Sequence, residues 1–219
     1  MICFLGTSHA ASHLRAAAKK RGNWLINDPD KAQVVFISED TPTDEYGNRD
    51  LEPILKLIER AKQASAQIVL TSQVPPGFTR SLGIENIFHQ AETLRIIDAE
   101  KRAYSPEYIA VGGDHRINTA YANYLASFQC PVLRMTWEEA EFSKIAVNMF
   151  LAAQVDTTNR LSAAASKVGA KWEAVSEALR SDSRIGEHAY LTPGRWQDSK
   201  HLLRDAITLQ GIECTVATI

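Results

Sequence analysis

The sequence predicts an α/β domain feeding a helical segment, and three observations predict it. Short apolar runs alternate with helix-forming stretches through the first two thirds of the chain. A turn-like Gly6-Thr7-Ser8 joins the first run to the first helical stretch. One long stretch without glycine or proline, dense in alanine, fills much of the last third.

The elements follow in order. Residues 2–5 (Ile-Cys-Phe-Leu) form a short apolar strand, and residues 10–21 are rich in helix formers closed by Gly22. Trp24-Leu25-Ile26 is a second apolar run, ended by the turn signal Asn27-Asp28-Pro29-Asp30. Val34-Val35-Phe36-Ile37 is continuous and β-branched, as in a strand buried on both faces. Residues 50–64 place Leu51, Ile54, Leu55 and Ile58 on one helical face, with Asp50 near the start. Ile68-Val69-Leu70 and Ile109-Ala110-Val111 are further strands, the second running into Gly112-Gly113. Strands alternating with helices imply parallel pairing with helices on both faces. Residues 137–168 read as one helix, which at 1.5 Å per residue would span roughly 45–50 Å. Gly169 ends it, and residues 171–180 and 200–209 read as two shorter helices.

Composition bounds the function. The 219 residues carry a net charge of −2 with 45% apolar residues, which excludes a polybasic nucleic-acid binder. No apolar stretch approaches the roughly 20 residues of a membrane span, and the start shows no secretory signal pattern. Cys3, Cys130 and Cys214 have no metal-ligand spacing and are odd in number, as expected of reduced thiols in a cytoplasmic protein. His9 and His13 lie four apart with no third ligand in view, so no metal is assigned.

The first strand, turn and helix place Gly6, Ser8 and Ala11 where a dinucleotide turn would have GxGxxG. The helix N-terminus still offers N–H groups to an anion, beside the alternative of an ordinary turn. Asp28 stands where a ribose-binding acid is expected, and also reads as a plain turn residue. Lys144 and Asn148 share one face of the long helix, and His201 and Asp205 repeat that spacing. By itself such spacing describes a solvated helix face. A lysine beside apolar walls can also serve as a base or proton donor, with a nearby amide holding a substrate oxygen or water.

Taken together, these segments resemble the UDP-glucose/GDP-mannose dehydrogenase family, in the family's order over almost the whole chain. Residues 35–43 (VFISEDTPT) look like its strand ending in a threonine–proline turn, and residues 71–77 (TSQVPPG) like its Ser-Thr-Val-Pro-x-Gly loop, with Gln73 replacing threonine. Ala91-Glu92-Thr93-Leu94-Arg95 falls on Pro-Glu-Phe-Leu-Arg. Pro106 and residues 109–113 fall on P-x-R-I-V-I-G-G, with Tyr108 in place of the arginine. Residues 140–148 look like A-E-x-x-K-x-x-x-N, and residues 182–186 like D-x-R-I-G.

The resemblance implies a shortened Rossmann-like parallel sheet over residues 1–135 that binds NAD. It implies an all-helical dimerisation segment over 136–219, built on the long central helix. The alanines at 152, 153 and 163–165 would allow a second helix close approach. Gly6, Ser8, Thr41, Pro42, Ser72 and Gln73 become candidate cofactor contacts. Glu92, Lys144, Asn148, His201 and Asp205 become candidate catalytic residues, and Leu94, Arg95 and Arg204 candidate contacts to a nucleotide sugar.

Three departures qualify the chemistry. His201 stands at the position of the family's nucleophilic cysteine, and Asp198 and Ser199 replace two glycines of that motif. A thiolate traps the aldehyde for the second oxidation, and His201 brings an imidazole to that position instead. The family has several tens of additional residues between the first βα unit and the strand at 34–37. It also continues beyond the equivalent of position 219 into a domain for the nucleotide sugar, expected to be absent here. The expectation is an NAD-linked oxidoreductase on a CH–OH group with reduced or altered activity; the alternative is a catalytically inactive dimeric binding or regulatory protein.

Overall fold

A computed structural model describes residues 1–44 and 48–216, without the side chains of 96 and 213–216, so the Cys214 side chain lies outside the described ones. Two compact units, Met1–Lys144 and Ile145–Ile219, divide the chain.

The first unit holds a seven-stranded sheet in the order β2-β1-β3-β4-β5-β6-β7. Its strands are β1 (Ile2–Leu5), β2 (Leu25–Ile26), β3 (Val34–Ile37), β4 (Gln67–Leu70), β5 (Ile87–Gln90), β6 (Ile109–Gly112) and β7 (Val132–Met135). The helices between them are α1 (His9–Lys20), α2 (Glu52–Lys62), α3 (Phe78–Ser81), α4 (Ala99–Tyr104) and α5 (Thr119–Ala126). β1 pairs in parallel with both β2 and β3, so the chain reverses its winding direction at the β1/β3 boundary. This is the doubly wound scheme, with a two-residue β2 at the edge.

The period-2 alternation sorts the side chains into two cores. Phe4, Val34, Phe36, Val69 and Phe88 pack with Leu14, Tyr121 and Tyr124 on one face. Val35, Ile37, Ile68, Leu70 and Ile87 pack with Ile54 and Ile58 of α2 on the other. Aromatic contacts fasten the first layer: the Phe4 and Phe36 rings stack at 4.7 Å, and Tyr124 lies 4.6 Å from Phe36.

The parallel expectation holds for every pair but one: β5 and β6 run antiparallel, with His89 opposite Gly112 and Gln90 opposite Val111. β5 is hard to read from sequence because His89 and Gln90 are polar yet buried. Gln90 is partnered by the Tyr121 hydroxyl, which donates to its Oε1 at 3.0 Å. His89 Nδ1 is buried with no hydrogen-bond partner among the described residues. Burial alone lowers its pKa from 6.5 to about 4. The unfolded chain therefore takes up this proton first as pH falls. Stability is whole above about pH 6.5 and declines toward pH 4, by about 3 kcal/mol in total. Urea unfolding from neutral to acid pH should show this decline, and His89→Leu should flatten it; an unaltered pH slope in the variant would refute the assignment.

At the end of β6, a Cβ on Gly112 would lie 2.5 Å from the Thr136 carbonyl oxygen and 2.7 Å from Ala140 Cβ. Only glycine lets the strand end approach the start of helix α6 (Trp137–Lys167) this closely. That helix fills the span predicted for it and stops two residues before Gly169, where the Ala170 N–H reaches back to the Ala165 carbonyl at 2.9 Å.

In the second unit, α7 (Trp172–Ser181) and α8 (Lys200–Val216) follow. α8 runs past the predicted end at 209 and through Gly211, which a long helix tolerates at about 1 kcal/mol. The polar face of α6 organises the stretch between them. Thr158 donates to Tyr190 O at 2.8 Å, and Gln154 accepts from the Tyr190 N–H at 2.9 Å. Asn159 bonds both backbone groups of Gly194, and Asp156 accepts from the Trp196 indole. Among the described residues no helix is long and apolar enough to cross a membrane.

Candidate functional site

The predicted cofactor residues converge at the carboxyl ends of β1, β3 and β4, the place where open α/β sheets bind ligands. Gly6 turns the chain at a left-handed φ of +105°, and a Cβ there would lie 2.1 Å from the Ser38 carbonyl oxygen. Ser8 is buried and caps α1: its hydroxyl accepts from the Ala11 N–H at 3.0 Å and donates to Ser38 O at 2.9 Å. Ser72 Oγ accepts from the Glu39 N–H at 2.8 Å. Thr41 Oγ1 donates to the Gln73 carbonyl at 3.0 Å, so short links through Ser38, Glu39 and Thr41 tie the three strand ends together. Pro42 is exposed beside them, its carbonyl accepting from the Asp50 N–H at 2.8 Å. Asp28 lies just beyond β2; its carboxylate accepts from the Asp30 N–H at 3.1 Å and pairs with Lys31 at 3.4 Å.

The turn at Gly6, the reversal of winding beside it and the N-terminus of α1 fit a dinucleotide. Its diphosphate would meet the residues after Gly6, and Ser72, Gln73 and Thr41 would flank it.

Glu141 is the glutamate of the A-E-x-x-K-x-x-x-N segment, and its sequence context assigns it no role. The structure buries it at 1% exposure, with its carboxylate accepting from the Gly77 N–H at 2.6 Å and the Thr79 N–H at 2.8 Å. The loop after β4 is thereby tied to the start of α6. Arg80 completes the tie, donating to Glu138 at 2.5 Å and to Asp114 at 3.2 Å while its guanidinium stacks over Trp137. Burial raises the Glu141 pKa, against the lowering effect of its hydrogen bonds from Thr79 and Gly77. A buried carboxylate anchoring the loop that follows Ser72 and Gln73 is a tertiary fact; no local pattern announces it.

Of the candidate catalytic residues, Glu92 and Lys144 belong to the first unit. Glu92 Oε1 accepts from the Leu94 N–H and lines a narrow cleft with Gln90, Leu94 and Tyr108. Arg95 is exposed and pairs with Asp98. Lys144 is half-buried, one turn before Asn148 along α6. Asn148, His201, Arg204 and Asp205 belong to the second unit. There Asn148 Nδ2 donates to Asp205 Oδ2 at 2.6 Å, and Arg204 Nε lies 3.4 Å from Asp205 Oδ1. Asp205 is fully buried and Arg204 is 9% exposed. His201 is exposed on the first turn of α8. The structure thus joins Asn148, Arg204 and Asp205 directly, and the solvated-face reading does not hold for Asp205.

Residues 138–210, the span that carries this triad, match the model of the UDP-glucose/GDP-mannose dehydrogenase family, central domain. The chain belongs to the UDP-glucose/GDP-mannose dehydrogenase family. Among its relatives in this dehydrogenase family, the UDP-glucose 6-dehydrogenase of Pseudomonas aeruginosa is 30% identical over 182 residues, covering 72% of this chain. That of Caenorhabditis elegans is 28% identical over 204 residues, covering 78% of it. The chain spans 39% and 42% of the lengths of these two relatives. A UDP-glucose dehydrogenase structure from Pyrobaculum islandicum superposes with a TM-score of 0.69 at 22% identity, over 95% of this chain and 67% of that one. A GDP-mannose dehydrogenase ternary complex from Pseudomonas aeruginosa gives 0.63 at 21% identity, over 93% of this chain and 55% of that one. At those identities the structural likeness shows the shared fold, which here includes the sheet and the long α6.

Proposed function

We propose that this family member is an NAD-dependent nucleotide-sugar dehydrogenase-like oxidoreductase acting on a CH–OH group. The buried Asn148–Asp205 pair is the observation that carries the reading. Burying a carboxylate is costly, and one held at 2.6 Å to an amide makes a fixed polar centre rather than a solvated helix face. Residues 1–135 hold the cofactor through Gly6, Ser8, Thr41, Pro42, Ser72 and Gln73, and residues 136–219 dimerise. When bound, nicotinamide supplies the acceptor for the hydride of the alcohol carbon.

The chain's own residues handle the proton and the orientation. Lys144 takes up the hydroxyl proton, Asn148 holds the substrate oxygen, Asp205 orients a water, and Glu92 assists as an acid–base group. Leu94, Arg95 and Arg204 contact the nucleotide sugar. His201 offers no thiol to capture an aldehyde, so the reaction ends at a single two-electron oxidation to the carbonyl. A homodimer through α6 is favoured by Val147, Phe150 and Leu161, which are 41%, 75% and 45% exposed along that helix. We assign the protein to the cytoplasm.

Titration with NADH, followed by nicotinamide fluorescence, tests the first requirement, and no binding at millimolar cofactor would sink the reading in favour of an inactive binding protein. A panel of UDP- and GDP-sugars with NAD, followed by NADH absorbance, then tests turnover.

A further inference from the structure

The turn between β1 and α1 already holds an anion, and it is the chain's own. Glu39 Oε2 accepts from the Thr7 N–H at 2.9 Å and from the Thr7 hydroxyl at 3.1 Å. Its other oxygen accepts from the Asp40 N–H at 3.0 Å. The backbone that carries it is pinned on both sides. Ser8 Oγ donates to the Ser38 carbonyl at 2.9 Å, and the Glu39 N–H donates to Ser72 Oγ at 2.8 Å. The carboxylate is therefore delivered across the β1/β3 boundary to the residue after Gly6. A dinucleotide's diphosphate needs that same turn and the positive end of α1. Asp40, the next residue in the chain, is a second acidic residue.

We propose that Glu39 is an internal competitor for the cofactor's diphosphate, closing the turn through Thr7 until the carboxylate is displaced. The inference rests on the NAD reading above. The backbone of 38–39 is fastened while the Glu39 side chain is only half-buried, so the carboxylate can leave the turn without unfolding the strand end. Like charges brought together without a counter-ion repel strongly, so diphosphate and carboxylate exclude one another. The consequence is weak binding of dinucleotides specifically, and not of ligands lacking phosphate.

The test compares the dissociation constants of NADH, ADP-ribose and adenosine for the unaltered protein, Glu39→Gln and Glu39→Ala. Glu39→Gln removes the charge and keeps an acceptor for Thr7; Glu39→Ala empties the position. NADH and ADP-ribose should bind about tenfold more tightly to Glu39→Gln, and at least as tightly to Glu39→Ala, with adenosine unchanged. Melting curves establish that each variant is folded, and Glu39→Gln decides if the alanine variant is not. Equal NADH affinity across the proteins overturns the inference and leaves the NAD reading standing. An equal gain for adenosine also overturns it, because the effect would not concern the diphosphate. If none of the proteins binds NADH, the NAD reading and the inference fall together.

Discussion

Lys144→Ala is expected to lower kcat by about a hundredfold to ten-thousandfold on whichever nucleotide sugar is turned over, the range that a positioned acid–base group contributes. Lys144 is half-buried on α6, one helical turn from Asn148, which is itself fixed by Asp205. Truncation removes the nitrogen and leaves the helix intact, since alanine is the best helix former. Melting temperature and NADH affinity should therefore stay close to those of the unaltered protein. Lys144→Arg supplies a permanent cation that cannot take up a proton at working pH, so it should fail to rescue kcat. A merely structural or charge-placing role would give the opposite result, with arginine restoring the rate. Steady-state kinetics of the two variants separate these cases, and a kcat unmoved by Lys144→Ala refutes the assigned role.

Glu141→Ala is expected to destabilise the protein by about 4 kcal/mol. The carboxylate is the partner of two backbone amides, Gly77 and Thr79, and its loss leaves both without their acceptor at about 1–3 kcal/mol each. The Arg80–Glu138 pair is exposed enough that it cannot compensate. Glu141→Gln keeps one carbonyl acceptor and should recover roughly half of the loss. Urea unfolding measures the total, and hydrogen exchange at the Gly77 and Thr79 amides shows where it is felt. Unaltered exchange at those two amides would mean that Glu141 does not hold the loop. Because that loop follows Ser72 and Gln73, the alanine variant should also loosen NADH binding if the cofactor reading holds.

The elements read most securely are those whose period is written in apolar residues. Val34-Val35-Phe36-Ile37 is fully buried as its continuous β-branched character requires, and the uninterrupted run from Trp137 becomes a single helix. β7 is not legible in the sequence because its Leu133 and Arg134 are exposed at the sheet edge, where nothing enforces a pattern. α5 is not legible either, because Tyr121 and Tyr124 become core residues only when Phe36 packs against them. In the candidate site, the residues to inspect were legible through the resemblance, but their states were not. The spacing of His201 and Asp205 described a surface pair, and burial separates them: one is exposed, the other wholly enclosed beside Asn148.

By itself, then, the sequence determined the alternation of strand and helix, the long α6, the turn at Gly6-Thr7-Ser8 and the segments that carry the family resemblance. These depend on neighbours a few residues apart, and local sterics and periodicity are sufficient to record them. The tertiary structure alone decided the antiparallel β5–β6 pair, the burial of His89, Glu141 and Asp205, and the carboxylate seated on Thr7. Each of these placements depends on a partner or an enclosing wall distant in sequence: Glu39 meets Thr7 across 32 positions, Asp205 meets Asn148 across 57, and Glu141 meets Thr79 across 62. Such a partner offsets the cost of burying a polar group, and chain folding, rather than residue type, brings it there; His89, whose Nδ1 has none among the described residues, bears that cost.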